Sequence, residues 1–176
     1  MFERLKKSIA KFIIARKYLK KNWEALSFRD SIKKSVTALI ILPSNESDFH
    51  FAFQVVEHLY QSGKALTLCI KEHKYNEIPK NDRFKYLSYH FGQVNRIGLP
   101  SKSAIERFSS QTYDLVIDLN REEDLFLISL ICEVRSSIRL GFHKEGLDGY
   151  YNFLVGVGDL SAEKTYENLI KYLKMF

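Results

Sequence analysis

The 176-residue chain, 45% hydrophobic and 14% aromatic, has a folded protein's composition and one α/β domain's length, which excludes a disordered chain or two full domains. Its net charge of +6 is uneven: residues 1–36 hold 11 Lys/Arg against 3 Asp/Glu, a surplus of +8, whereas the rest holds 16 against 18, or −2. The body is therefore near neutral, which speaks against nucleic acid as a partner, and the basic character belongs to an N-terminal arm of residues 1–35.

Taken in order, residues 2–21 predict an amphipathic helix. Phe2, Leu5, Ile9, Phe12, Ile13 and Leu19 fall within an arc of about 120° at 100° per residue, interrupted by Arg16. Lys6, Lys7, Lys11, Lys17 and Lys21 lie on its flanks and back. Such a helix suits a membrane surface, an acidic partner or membrane-associated protein complex, or packing on the body with a solvated basic face. Residues 22–35 read as a connection, with Trp23, Leu26 and Phe28 available to pin the arm.

Val36–Leu42 predicts a first strand, stopped by Pro43, and the loop Pro43–Ser47 leads into a helix over Asp48–Ser62 that Gly63 ends. Ala65–Ile70 is a second strand, so strand, helix and strand form a parallel βαβ unit. Residues 71–83 read as loop, Tyr86–Phe91 as a short strand or helix, and Val94–Gly98 as a strand. Ser103 and Glu106 have capping-box spacing for a short helix to Ser110. The run Tyr113–Asn120, β-branched at Val116 and Ile117, predicts a strand covered on both faces, near the centre of the sheet. Asn120 then stands where it would cap a helix over 121–135, with Glu122, Glu123 and Asp124 in its first turn. Ile138–Phe142 and Asn152–Val157 are further strands, separated by Gly146 and Gly149, and Ser161 caps a closing helix to Met175. This alternation predicts a single Rossmann-like three-layer domain with a parallel sheet over residues 36–176, preceded by the basic amphipathic helix.

No glycine-rich phosphate loop follows the first strand, and Gly156-Val157-Gly158 lacks a third glycine. His50 and His58 are eight apart rather than four, and His73, His90 and His143 are scattered, so neither a metal nor a cofactor is expected. Cys69 and Cys132 sit in apolar runs and read as buried reduced thiols. Neither a spanning apolar run nor a secretory signal is visible, so the expected location is cytoplasmic, peripheral to the inner face of the plasma membrane. Asp48 and Asp118 lie just past carboxyl ends of strands, where ligands of open α/β sheets bind, with Ser44, Asn45 and Asn120 beside them. Each acid can act as a general base or hold a hydroxyl-rich ligand. Equally, Asp48 can be a helix first-turn acid and Asp118 a loop acceptor.

Tyr113-Asp-Leu-Val-Ile-Asp-Leu-Asn120, then a buried helix, then Arg139-Leu140-Gly141-Phe142, resembles the N-terminal half of bacterial heptosyltransferases. These are GT-B glycosyltransferases, in which a YDLVIDLQG strand precedes a helix and an RIG strand. The family's Gly-Asp after the first strand falls on Ser47-Asp48, which implies that Asp48 is the counterpart of its acceptor-activating acid. A second domain binds the nucleotide sugar in those enzymes, so the resemblance implies either a non-catalytic binding or assembly subunit or one half of a split glycosyltransferase with a separate donor-binding chain. The basic helix and the Tyr172–Phe176 ending also resemble short single-domain bacterial relatives of that half.

Overall fold

Apolar runs too continuous to alternate become strands buried on both faces. The structure, a computed structural model, describes residues 2–19, 27–78, 82–158 and 160–175. Its elements are α1 (Phe2–Tyr18), α2 (Phe28–Lys34), β1 (Thr37–Ile41), α3 (Glu46–Gln61), β2 (Ala65–Lys71), β3 (Lys85–Tyr89), α4 (Lys102–Ser109), β4 (Leu115–Asp118), α5 (Leu125–Glu133), β5 (Ile138–Phe142), β6 (Phe153–Val155) and α6 (Ala162–Leu173). The six strands form one parallel sheet in the order β3-β2-β1-β4-β5-β6, so the Tyr113–Asn120 run does supply a central strand. Ile41 pairs with Asp118, which sets the carboxyl ends of β1 and β4 side by side.

Side chains alternate across the sheet and find a helical layer on each side. Ile40, Leu68, Ile117 and Leu140 pack with Val55 and Leu59 of α3 and Tyr166 and Leu169 of α6. Leu39, Ile41 and Val116 pack with Phe108 of α4 and Leu127, Leu130 and Ile131 of α5. A third cluster explains why α5 is apolar nearly all round: Ile128 and Cys132 on its outer side meet Ala10, Ile14 and Tyr18 of α1, together with Leu147, Tyr150 and Tyr151. The arm therefore packs on the body, and it does so with a face other than the predicted stripe. Cys69 and Cys132 are both buried as reduced thiols.

Four local readings change, the first being the cap of α4, which is Ser101 rather than Ser103. Val94–Gly98 is not a strand: the Asn95 carboxamide accepts from the backbone N–H of Ile97 and Leu99, Gly98 takes a φ of +83°, and only a bridge joins Val94 to Pro100. The third strand is Lys85–Tyr89, at the sheet edge. The helix predicted over 121–135 starts at Leu125 and is capped by Asp124, whose Oδ1 accepts from Leu127 N at 3.1 Å, because Asn120 is engaged elsewhere. The stretch read as a connection contains α2, whose last turn is tied by Lys64 Nζ donating to the carbonyls of Ile32 and Ser35 at 2.9 and 2.8 Å. Lys21, Trp23 and Leu26, assigned to the arm and its pinning, lie outside the described residues, as do the side chains of Phe2 and Phe28.

Candidate functional site

Sequence places two carboxylates at the carboxyl edge of the sheet, and the fold neutralises both. After β1, Asn45 caps α3, its Oδ1 accepting from Ser47 N at 2.9 Å, which fixes the first turn. That turn carries Asp48 inward, where it is buried, and Arg121 grips it with both arms of the fork: Nε on Oδ2 at 2.9 Å and Nη2 on Oδ1 at 2.7 Å. The Asp48 bond raises Arg121 further above its ordinary value, so the guanidinium stays charged. Tyr166, pushed up first by burial and then by the Asp48 charge, donates its hydroxyl to Leu119 O at 2.6 Å.

Asp118 ends β4 and is more thoroughly enclosed. Its Oδ1 accepts from Asn120 N at 3.0 Å and Asn120 Nδ2 at 2.7 Å; its Oδ2 accepts from Lys144 Nζ at 2.7 Å and Tyr151 Oη at 2.6 Å. Lys144 comes from the loop after β5 and Tyr151 from the turn before β6. Burial alone would raise the Asp118 carboxyl, but the Lys144 ammonium and the donated hydrogen bonds outweigh it and hold the group below the usual carboxylate range. Tyr151 is pushed well above the usual phenol value, first by burial and then by the Asp118 charge, so it stays a donor.

Gly141 makes this possible. A Cβ there would stand 2.7 Å from Tyr151 Cε1, so the ring lies directly on the β5 backbone with its hydroxyl reaching Asp118. The glycine of the Arg139–Phe142 run is thus a seat for Tyr151. Gly141→Ala is expected to destabilise the protein by about 1–3 kcal/mol in denaturant titration, through overpacking against a ring that has no room to retreat.

Ser44, Asn45, Asp48, Asp118 and Asn120 all lie along the carboxyl edge, as predicted, but Asn120 serves Asp118 rather than a helix cap. Arg121, Lys144 and Tyr151 were not anticipated. The residues proposed for membrane or partner contact divide into two sets. Lys6 pairs with Glu3, Lys7 and Lys11 with Glu123 at 3.4 and 3.0 Å, and Lys17 with Glu133, so these lysines rivet α1 to itself and to the body. Leu5 and Phe12, by contrast, are 58% and 66% exposed, with Ile9 and Ile13 also open beside them. Chemically, then, the carboxyl edge holds two occupied carboxylates, and α1 presents one docked apolar face and one free one. Among the described residues no group of three or more His, Cys, Asp or Glu side chains is placed to hold a metal ion, and no helix is long and apolar enough to cross a membrane.

Comparison with protein families matches residues 11–176 to a family of unknown function (DUF6913). No curated protein matches the chain.

Proposed function

The chain belongs to the DUF6913 family, and we propose that it is a non-catalytic binding or assembly module, similar to a glycosyltransferase acceptor-side domain, held on an anionic membrane surface by the outer face of α1. The observation that carries this reading is the exposed row of Leu5, Ile9, Phe12 and Ile13, with Arg16 on the same face, on a helix already anchored through its opposite side. A docked helix has no structural use for four open apolar side chains, whereas an interfacial helix buries such a row among headgroups and acyl chains. The saturated carboxylates support the non-catalytic half of the proposal: a base engaged bidentately by Arg121 must break that pair before it can take a proton from an acceptor.

The ion pairs of α1 set the character of the attachment. With Lys7 and Lys11 sharing Glu123 and Lys17 engaged by Glu133, part of the arm's charge is offset within the molecule, and burial of the apolar row carries the attachment. The protein is therefore expected to cosediment with phosphatidylglycerol-containing vesicles and to remain bound as salt rises. The Leu5→Ser/Phe12→Ser variant should keep its stability yet lose about a hundredfold or more in partitioning, given about 1.5–3 kcal/mol for each of the two side chains when fully buried. Absence of cosedimentation, or equal binding by that variant, overturns the proposal.

A further inference from the structure

The carboxyl ends of β2 and β3 reach past β1 and, with the start of α5, wall a cavity smaller than the open groove of about 800 Å³ between α3 and α6.

 The β2–β3 cavity itself, of about 580 Å³, is the size of a small-molecule site and stands where open parallel sheets take their ligands. Tyr89 and Phe126 form its floor, with ring centroids 5.2 Å apart. Phe91, 79% exposed, forms a wall, and the Lys71 ammonium stands 5.8 Å from its ring centroid. Tyr89 is only 3% exposed, yet among the described residues its hydroxyl completes no hydrogen bond. The Ser44 hydroxyl lies near it. A buried hydroxyl without a partner is destabilising, and a ligand atom with a lone pair or proton that reaches it on a small shift of the ring relieves this.

We propose that this cavity binds a planar heteroaromatic molecule of the nucleobase class, its flat face against Phe91 and Phe126 and its polar edge toward Tyr89 Oη, Lys71 and Asp124. A plain hydrocarbon ring would leave the hydroxyl unsatisfied, whereas a heterocycle supplies both donors and acceptors. Lys71 and Asp124 offset one another across the lining, which favours an uncharged ring over an anion. With no glycine-rich loop after β1, phosphate groups take no part in the recognition. The ligand is thus a base or nucleoside. This site is independent of membrane attachment, so it is tested without vesicles.

The test is a titration of the full ¹⁵N-labelled chain with each common ribonucleoside and with ribose as control, read by amide chemical shifts. The expected result is saturable shifts at Lys71, His90, Phe91 and Asp124 with at least one nucleoside and none with ribose. Phe91→Ala, at an exposed position, should weaken binding about tenfold through lost stacking. Tyr89→Phe, which keeps the ring, should weaken it by a similar factor with the rest of the spectrum unchanged. Absence of saturable shifts with every nucleoside, shifts confined to the α3–α6 groove, or unaltered affinity in both variants overturns the proposal.

Discussion

Asp118→Asn is expected to lower the unfolding free energy by about 3–5 kcal/mol, because it strips a buried ammonium of its counter-charge while leaving the ammonium in place. Lys144 and Asp118 are both buried, and their contact at 2.7 Å is the means by which either tolerates burial. The same reasoning predicts non-additivity. In the double variant Asp118→Asn/Lys144→Met no charge is stranded, so its loss should be smaller than the sum of the single losses, as a double-mutant cycle in urea would read. The pH dependence follows from the sign of the shift. The folded carboxyl lies below its unfolded value, so its stabilisation is complete above about pH 4 and is lost as pH falls through the folded value. Asp114, held low by the backbone N–H groups of Thr37 and Val36, acts in the same direction. Asp118→Asn should therefore flatten the acid limb of the stability curve. An unchanged acid limb together with a loss under about 1 kcal/mol would contradict the assignment of Asp118 as the polar centre of the fold.

Ile14→Ala should cost about 2–5 kcal/mol if α1 is part of the cooperative unit, since Ile14 is 1% exposed and lies between Ile128, Cys132 and the Leu147–Tyr151 segment. The loss has a ceiling. Once α1 detaches, truncating it further changes nothing, so the variant and a chain lacking residues 1–18 should converge in stability. Detachment also uncovers Tyr151, whose hydroxyl serves Asp118, so amides of α5 and of the β5–β6 connection should exchange faster in the variant. Full stability and unchanged exchange would mean that the arm merely rests on the body. Because Leu5 and Phe12 are on the opposite side of the helix, the vesicle-binding variant and Ile14→Ala separate attachment from folding.

Sequence pattern was most informative where the physics is local. Continuous apolar runs at Val36–Leu42 and Leu115–Ile117 marked buried strands, and the 3.6-residue stripes of α3 and α6 marked their inner faces, because each signal is carried by the residues that bury themselves. The edge strand Lys85–Tyr89 was ambiguous because Lys85 and Ser88 are polar and only half the strand is covered. On α1 the pattern pointed to the richer stripe of Leu, Ile and Phe, whereas the body takes the poorer one, Ala10, Ile14 and Tyr18. Periodicity ranks faces by hydrophobicity; it contains no information about which face finds a complementary surface. Asp48 and Asp118 were legible as edge acids from their positions after strands. Their partners were not, since Arg121 lies 73 residues from Asp48, and Lys144 and Tyr151 lie 26 and 33 residues from Asp118. Asn120 misled for a related reason: a side chain that fits a cap fits a neighbouring carboxylate equally well.

The rivets of α1 have a consequence for the order of events at the ribosome. Lys17 and its partner Glu133 are separated by 116 residues, and Leu147 to Tyr151 are made later still. At about 5–20 residues per second, the helix waits on the order of ten seconds for the surface that will cover it. Throughout that interval Ala10, Ile14 and Tyr18 are as open as Leu5 and Phe12. A lipid surface or chaperone near the nascent chain thus meets two apolar faces where the finished protein presents one.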